Sequence, residues 1–240
     1  YGSCEITALN GKINLTQYPL IQWSLGGGGQ LKLPVRVTSR GEMRIDQTAG
    51  SMDVLIRGAS LPEVLGYLPP VIDCRAVSGT TDIELQLAWG FGAFWIEKGQ
   101  AALHDAGVFL PGFPKPFRVK HLETAFAPER FQIKKAELAY GQTTLRFQGV
   151  FNPSSTAIDA VVKVAGLNLE DISFIKPELK DYGVESHVDL NLKISGRVHA
   201  PVFDGNVTLK DGKAGLIQGE CLERIAGKAV IVRNNLFFQQ

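Results

Sequence analysis

Cysteine is scarce in this chain of 240 residues: Cys4, Cys74 and Cys221 are the only three. They are too few and too scattered for a disulfide framework, and no Cys-x-x-Cys pair or Cys/His cluster offers a structural zinc site. Tyr1-Gly-Ser-Cys4 lacks the leading Leu of a lipoprotein cleavage site and reads as an ordinary small side chain. A charge excess is missing as well. Lys and Arg number 25 against 24 Asp and Glu, a net +1 that gives no argument for nucleic acid or anionic headgroups as partners. No apolar run reaches the roughly 18 residues that a membrane-spanning helix needs. No signal-peptide pattern is read in these residues; the chain does not begin with Met and stops within the strand pattern Leu236-Phe-Phe-Gln-Gln240, so it is expected to be cut from something longer, with any targeting segment removed.

Chemistry-bearing patterns are equally thin. The four histidines, His104, His121, His187 and His199, have no neighbours at a metal-ligand spacing. There is no Gly-x-Ser-x-Gly elbow, no dinucleotide fingerprint after a strand and no Cys/His nucleophile pattern. Asp82, Glu84 and Gln86 alternate with apolar residues, which marks the wet face of an antiparallel sheet and not an acid/base pair. The run Gly26–Gly29 lacks the Lys-Ser/Thr and the helix of a phosphate cradle, and reads as a flexible hairpin tip. No enzyme activity, catalytic residue, cofactor or metal ligand is expected.

What the chain does have is period-two alternation, the strand signature. Hydrophobic content of 45% and charged content of 20% are ordinary for a folded protein. Ile13 and Leu15 share one face, then Leu31, Leu33, Val35 and Val37, then Met43 and Ile45, then Met52, Val54 and Ile56. Turns are expected at Asn10-Gly11, Gly26–Gly29, Arg40-Gly41 and Ala49-Gly50. Ile83, Leu85, Leu87 and Trp89 make an inward stripe, followed by an unusually aromatic stretch, Phe91–Ile96. Past the Pro-rich loop 110–117, strands are expected over 118–126, 130–138, 143–150, 157–165, 187–195 and 205–210. Asp211-Gly212 reads as a turn, 219–225 as a helical turn, and Asn234-Asn235 as the last hairpin turn.

The stretch from Gly166 to Ile194 repeats one that starts at Gly58. Gly58 matches Gly166, Leu61 matches Leu169, Val64 matches Ile172 and Pro69 matches Pro177. Ser60 with Glu63 makes a capping box and Asn168 is an N-cap at the equivalent place. Two short helices, near 60–68 and 168–176, are therefore expected, each feeding a half-buried strand. The apolar stripe Ile83, Leu85, Leu87 then corresponds to Leu190, Leu192, Ile194, with Phe131, Phe147 and Val162 extending it. Supersecondary units that repeat stack to bury a shared core. The expected organisation is a strand segment over 1–57, one unit over 58–165 and a second, truncated unit over 166–240.

Within the second unit come Leu192-Lys-Ile-Ser-Gly196, then Ala200-Pro-Val-Phe-Asp-Gly205 through Asp211-Gly212, then Leu222-Glu-Arg-Ile-Ala-Gly227 and Val230-Ile-Val-Arg-Asn-Asn-Leu236. This succession resembles the C-terminal β-repeat region of bacterial AsmA-like proteins, the group that includes TamB-like proteins. The first unit keeps Gly99, Leu122 and the Phe131–Ile133 strand but lacks the Pro-x-x-x-Gly step and carries the insertion at 110–117. The resemblance covers about residues 41–240. It implies an elongated, curved, U-shaped (taco-like) antiparallel sheet with an apolar concave face. It also implies a periplasmic region of an inner-membrane-anchored protein in Gram-negative bacteria, linked to phospholipid transport and outer-membrane biogenesis. The implied partners are phospholipid acyl chains, with inner- and outer-membrane proteins at the ends of the full-length chain. The nine stripe positions become candidate lipid contacts. The same alternation also suits the closed core of a sandwich, a module that adds a strand to an unfolded β-barrel client, or a hydrolase or lectin-like domain.

Overall fold

The computed structural model describes residues 6–30, 34–67, 75–169, 185–215 and 221–239. Fourteen strands form one antiparallel sheet, each paired with the next in the chain. In order they are β1 (Ile6–Gln17), β2 (Leu20–Gln30), β3 (Pro34–Arg44), β4 (Ala49–Ser60), β5 (Arg75–Gly90), β6 (Ala93–Phe109) and β7 (Phe117–Ala127). There follow β8 (Arg130–Tyr140), β9 (Thr143–Asn152), β10 (Ala157–Asn168), β11 (Glu185–Arg197), β12 (Ala200–Gly215), β13 (Cys221–Val232) and β14 (Asn235–Gln239). β1 and β14 do not pair, so the sheet is open. That excludes, for the described residues, a sandwich of two sheets. One helix, α1 (Leu61–Tyr67), and one 3-10 turn (Ile45–Gln47) complete the described elements.

An unclosed single layer leaves much surface in water. A compact protein of 26.1 kDa would expose roughly 10,500 Å²; this chain exposes 16061 Å². Fully buried side chains are correspondingly few. One cluster of them lies where α1 covers the sheet: Leu61 of the helix packs with Ala106 of β6 and Val119 of β7, ringed by Leu65, Leu103, Leu122 and Leu138. Beside them Phe113 and Phe117 meet Tyr140 edge-on and tilted, at ring separations of 5.6 and 4.9 Å.

Several expected turns are strand. Asn10-Gly11, Gly26–Gly29 and Arg40-Gly41 lie inside β1, β2 and β3, while the chain reverses at Tyr18-Pro19 and at the 3-10 turn that includes Ile45. The glycines are extended because neighbouring strands need the space. A Cβ on Gly41 would stand 2.4 Å from the Trp23 ring, and one on Gly50 2.4 Å from the Trp89 ring. Gly26–Gly29 pair with Thr38 back to Val35, so this run is ladder and not a hairpin tip. Asp211-Gly212 is a bulge within β12 (Asp211 φ 51°). Residues 221–225 belong to β13, not to a helical turn, because they pair with β12. The last reversal falls one residue early, at Arg233-Asn234.

The first expected helix is α1. Of the second, Asn168 closes β10; residues 170–176 lie outside the described residues, as do Leu31 and Leu33. The sheet runs without a break through Gly58 in β4 and Gly166 in β10.

Candidate functional site: the two faces of the sheet

Antiparallel partners point to the same side of a sheet, so the register sorts the side chains by face. In the first unit Ile83 pairs with Ile56, Leu85 with Val54 and Leu87 with Met52. Leu85 continues to Gly99, Gly99 to Phe126 and Phe126 to Phe131. In the second unit Phe147, Val162 and Leu192 form one row across β9, β10 and β11. Leu190 sits beside Val164, and Ile194 beside Ala160. Phe147 joins the first unit through Ala136 and Leu122. All nine stripe positions therefore occupy one side of one sheet. Leu87 is buried at 8% exposure, Phe131 is open at 37%, and the other seven are half-buried. Among the described residues the only helix over this side is α1, at the end where β5 begins. Sequence reading missed Phe126, Phe151 and Trp23 on the same face.

Large rings on this face lie over glycines of the next strand. Trp23 covers Gly41, Trp89 covers Gly50 and Phe126 covers Gly99. Trp23 and Trp89 stack at 6.1 Å, and Phe94 continues the ladder at 6.5 Å from Trp89. Glycines weaken strands by their freedom in the unfolded chain; a ring laid across each restores buried area on both sides.

On the opposite face charged and polar side chains stand in register beside Leu55, Ala88 and Trp95, and a hollow of about 1100 Å³ opens there. It is a furrow between two ladders of side chains. One ladder runs in register as Lys12, Ser24, Arg40, Asp53, Gln86 and Lys98. The other includes Thr38, Leu55, Glu84, Gln100 and Gln132. From β8 the lining takes Arg130, Gln132 and Lys134, not Phe131 or Ile133, which fixes the side. Lys134 Nζ donates to Gln100 Oε1 at 2.7 Å across it.

The repeat seen in the sequence has a geometric counterpart on this polar side. Gly58 and Gly166 both take left-handed backbone (φ 69° and 65°), each at a register shift that lets one residue bulge. The Gly58 N–H donates to Asp82 Oδ1 at 2.8 Å, and the Gly166 N–H to Asp189 Oδ1 at 2.9 Å. A basic side chain stands beside each carboxylate, Lys210 and His104 from the strand after the Asp and Arg57 from the strand before it. Lys210 Nζ stands 2.6 Å from Asp189 Oδ2; His104 Nε2 and Arg57 stand 3.8 and 4.0 Å from Asp82 Oδ2. The Lys210 ammonium, and then the Gly166 N–H, hold the Asp189 carboxyl below the usual carboxylate range, and Asp189 in turn raises Lys210. The clasp escaped the sequence reading, although the signal was there: an Asp directly precedes the apolar stripe in both copies.

His104 pairs with His121, their rings 5.9 Å apart, and His121 Nε2 lies 2.7 Å from Glu123. Among the described residues no group of three or more His, Cys, Asp or Glu could hold a metal ion. Cys221 is free and exposed; Cys4 and Cys74 lie outside the described residues. No family model, curated protein or solved structure matches the chain.

Proposed function

We propose that this chain is a non-enzymatic periplasmic segment of an AsmA-like, inner-membrane-anchored protein, and that the apolar side of its sheet carries phospholipid acyl chains between inner and outer membrane. The observation that carries the reading is the placement of Ile83, Leu85, Leu87, Phe131, Phe147, Val162, Leu190, Leu192 and Ile194 on one side of an open sheet, beyond the reach of α1 for most of its width. Fourteen strands about 4.8 Å apart make a face roughly 65 Å across along the sheet. Acyl chains need only a continuous apolar track, because each buried methylene contributes about 0.8 kcal/mol without any specific polar contact. The excess of exposed surface is consistent with an occupant that shields part of it. The furrow on the polar face is no part of this track.

Leu192→Asp is the test. On an uncovered face the carboxylate reaches water, and the change costs about 1 kcal/mol. In a closed core the same unpaired charge costs several kcal/mol and unfolds the chain. Thermal stability of Leu192→Asp is paired with photo-crosslinking in cells from a probe at position 190, on the same face of β11, with and without the substitution. A folded variant and a lipid crosslink lost on substitution support conduction. An unfolded variant, with no lipid crosslink from any of the nine positions, refutes it.

A second reading has its own observation. β14 pairs only with residues Lys228–Val232 of β13, so the β13 edge over 221–227 has no strand partner on that side among the described residues. An open edge of this kind accepts an added strand, which suits assistance to outer-membrane protein assembly. Native mass spectrometry separates the two: co-purified phospholipid favours conduction, and a lipid-free monomer that captures unfolded porin favours strand addition.

A further inference from the structure

The β5–β6 hairpin is out of keeping with the rest of the sheet. Its strands are the longest pair, 16 and 17 residues. The neighbouring β7 stops pairing at Gly99, so residues 93–98 of β6 project past it by about 20 Å; on the other side β4 flanks β5 as far as Trp89 and begins at the turn that carries the Arg44–Asp46 ion pair. Every residue from 91 to 98 is exposed. That stretch is also where the aromatics are concentrated. Trp89 and Phe94 pair on one face, stacked at 6.5 Å. Trp95 pairs with Ala88 on the other face and lies over Gly90. At the tip, Phe91 is 103% exposed.

Phe91 also adopts left-handed backbone (φ 53°), followed by Gly92 at φ 76°. Two-residue turns of this kind favour Asn or Gly at the first position, and a bulky ring there is strained. The chain thus accepts backbone strain and full hydration of an aromatic ring at one position. An outlier of that kind points to a function for the ring.

The ten residues from Leu87 to Ile96 carry no charge, and Glu97 and Lys98 follow at once. We propose that this hairpin tip docks into the interfacial region of a lipid bilayer, with Phe91, Phe94 and Trp95 inserted and Glu97 and Lys98 stopping at headgroup level. Aromatics on both faces and on the turn decide between a bilayer and a protein partner. A protein surface covers one face, whereas the interfacial layer takes up aromatics on both faces and at the turn together. Aromatic rings also favour that layer. An uncharged tip three to four residues deep spans about 10–13 Å, the scale of one leaflet's interface. The proposal does not rest on lipid conduction, because docking uses the tip and leaves the apolar face of the sheet free.

The test uses the 240-residue chain and phosphatidylcholine vesicles. In flotation, wild-type protein rises with the vesicles, and Phe91→Ser/Phe94→Ser/Trp95→Ser reduces the floated fraction at least tenfold. Leu236→Ser/Phe237→Ser/Phe238→Ser, which removes exposed apolar surface elsewhere, leaves it within twofold. A second measurement does not depend on how the triple variant folds. With the three cysteines changed to serine, an NBD dye at Phe91→Cys shifts to the blue on adding vesicles and is quenched by spin-labelled lipid. The same dye at Gln142→Cys, in a turn at the opposite end of the sheet, does not respond. Wild-type protein that fails to float, a folded triple variant that floats like wild type, or equal dye responses at the two ends would overturn the proposal. Leu192→Asp should float normally; loss of flotation there would move docking to the sheet face and overturn it too.

Discussion

Gly99→Ala tests whether rings laid on glycines hold this single-layer sheet together. Gly99 is buried, and an added Cβ would stand 2.4 Å from both Cε2 and Cζ of Phe126 and 3.0 Å from Leu85 Cδ2. All three contacts are side-chain atoms, so the ring must lift and no backbone need move. A Phe side chain buries about 150 Å². Losing about half of that at ~25 cal/mol per Å² costs about 2 kcal/mol. Gly→Ala returns roughly 0.5–1 kcal/mol by restricting the unfolded chain, which leaves a net loss of about 1–2 kcal/mol. In a Phe126→Ala background the obstruction is gone, and Gly99→Ala should be neutral or mildly stabilising. Urea unfolding followed by circular dichroism on the four proteins closes the cycle, with a coupling of about 2 kcal/mol expected. A Gly99→Ala protein as stable as wild type, or two costs that simply add, would show that Phe126 does not depend on the bare backbone beneath it.

The remaining expectations can be checked with the same purified chain. Asp189→Asn should remove the ion pair with Lys210, keep an amide oxygen for the Gly166 N–H, and make stability less dependent on acid. Because the folded pKa of Asp189 is lowered, its contribution is full above the ordinary carboxylate value of about 3.9 and is lost as pH falls through the lower folded value. Because that of Lys210 is raised, its share is full below about 10.4 and lost as pH rises through the higher folded value. Melting temperature against pH, wild type minus Asp189→Asn, should therefore form a plateau between those limits and fall outside them; a flat difference at all pH values would remove the clasp from the energetics. Cys221 is exposed and free, so it should react with a thiol reagent in the folded protein, and three thiols should titrate in denaturant. One reactive group in denaturant would mean a disulfide.

Alternation is a local property, and it was enough to assign faces. Ile83, Leu85 and Leu87 share one side, and so do Leu190, Leu192 and Ile194, because strand residues two apart share a side; that the two sets face the same way follows from the register between strands. The match of Gly58 with Gly166 was equally legible, since both the glycine and the Asp before the stripe recur in the letters. The sequence could not say that Gly41 and Gly50 are strand. Their role depends on Trp23 and Trp89, which reach them only through pairing between strands distant in the chain. Gly26–Gly29 looked like a loop for the same reason: a glycine run has no preference of its own, and the register with Val35–Thr38 decides its conformation. Whether the apolar stripe closed on a second sheet was likewise undecided by alternation. The count of fourteen strands, the unpaired ends at β1 and β14, and the furrow on the polar side all follow from long-range register, and only the tertiary structure could decide them.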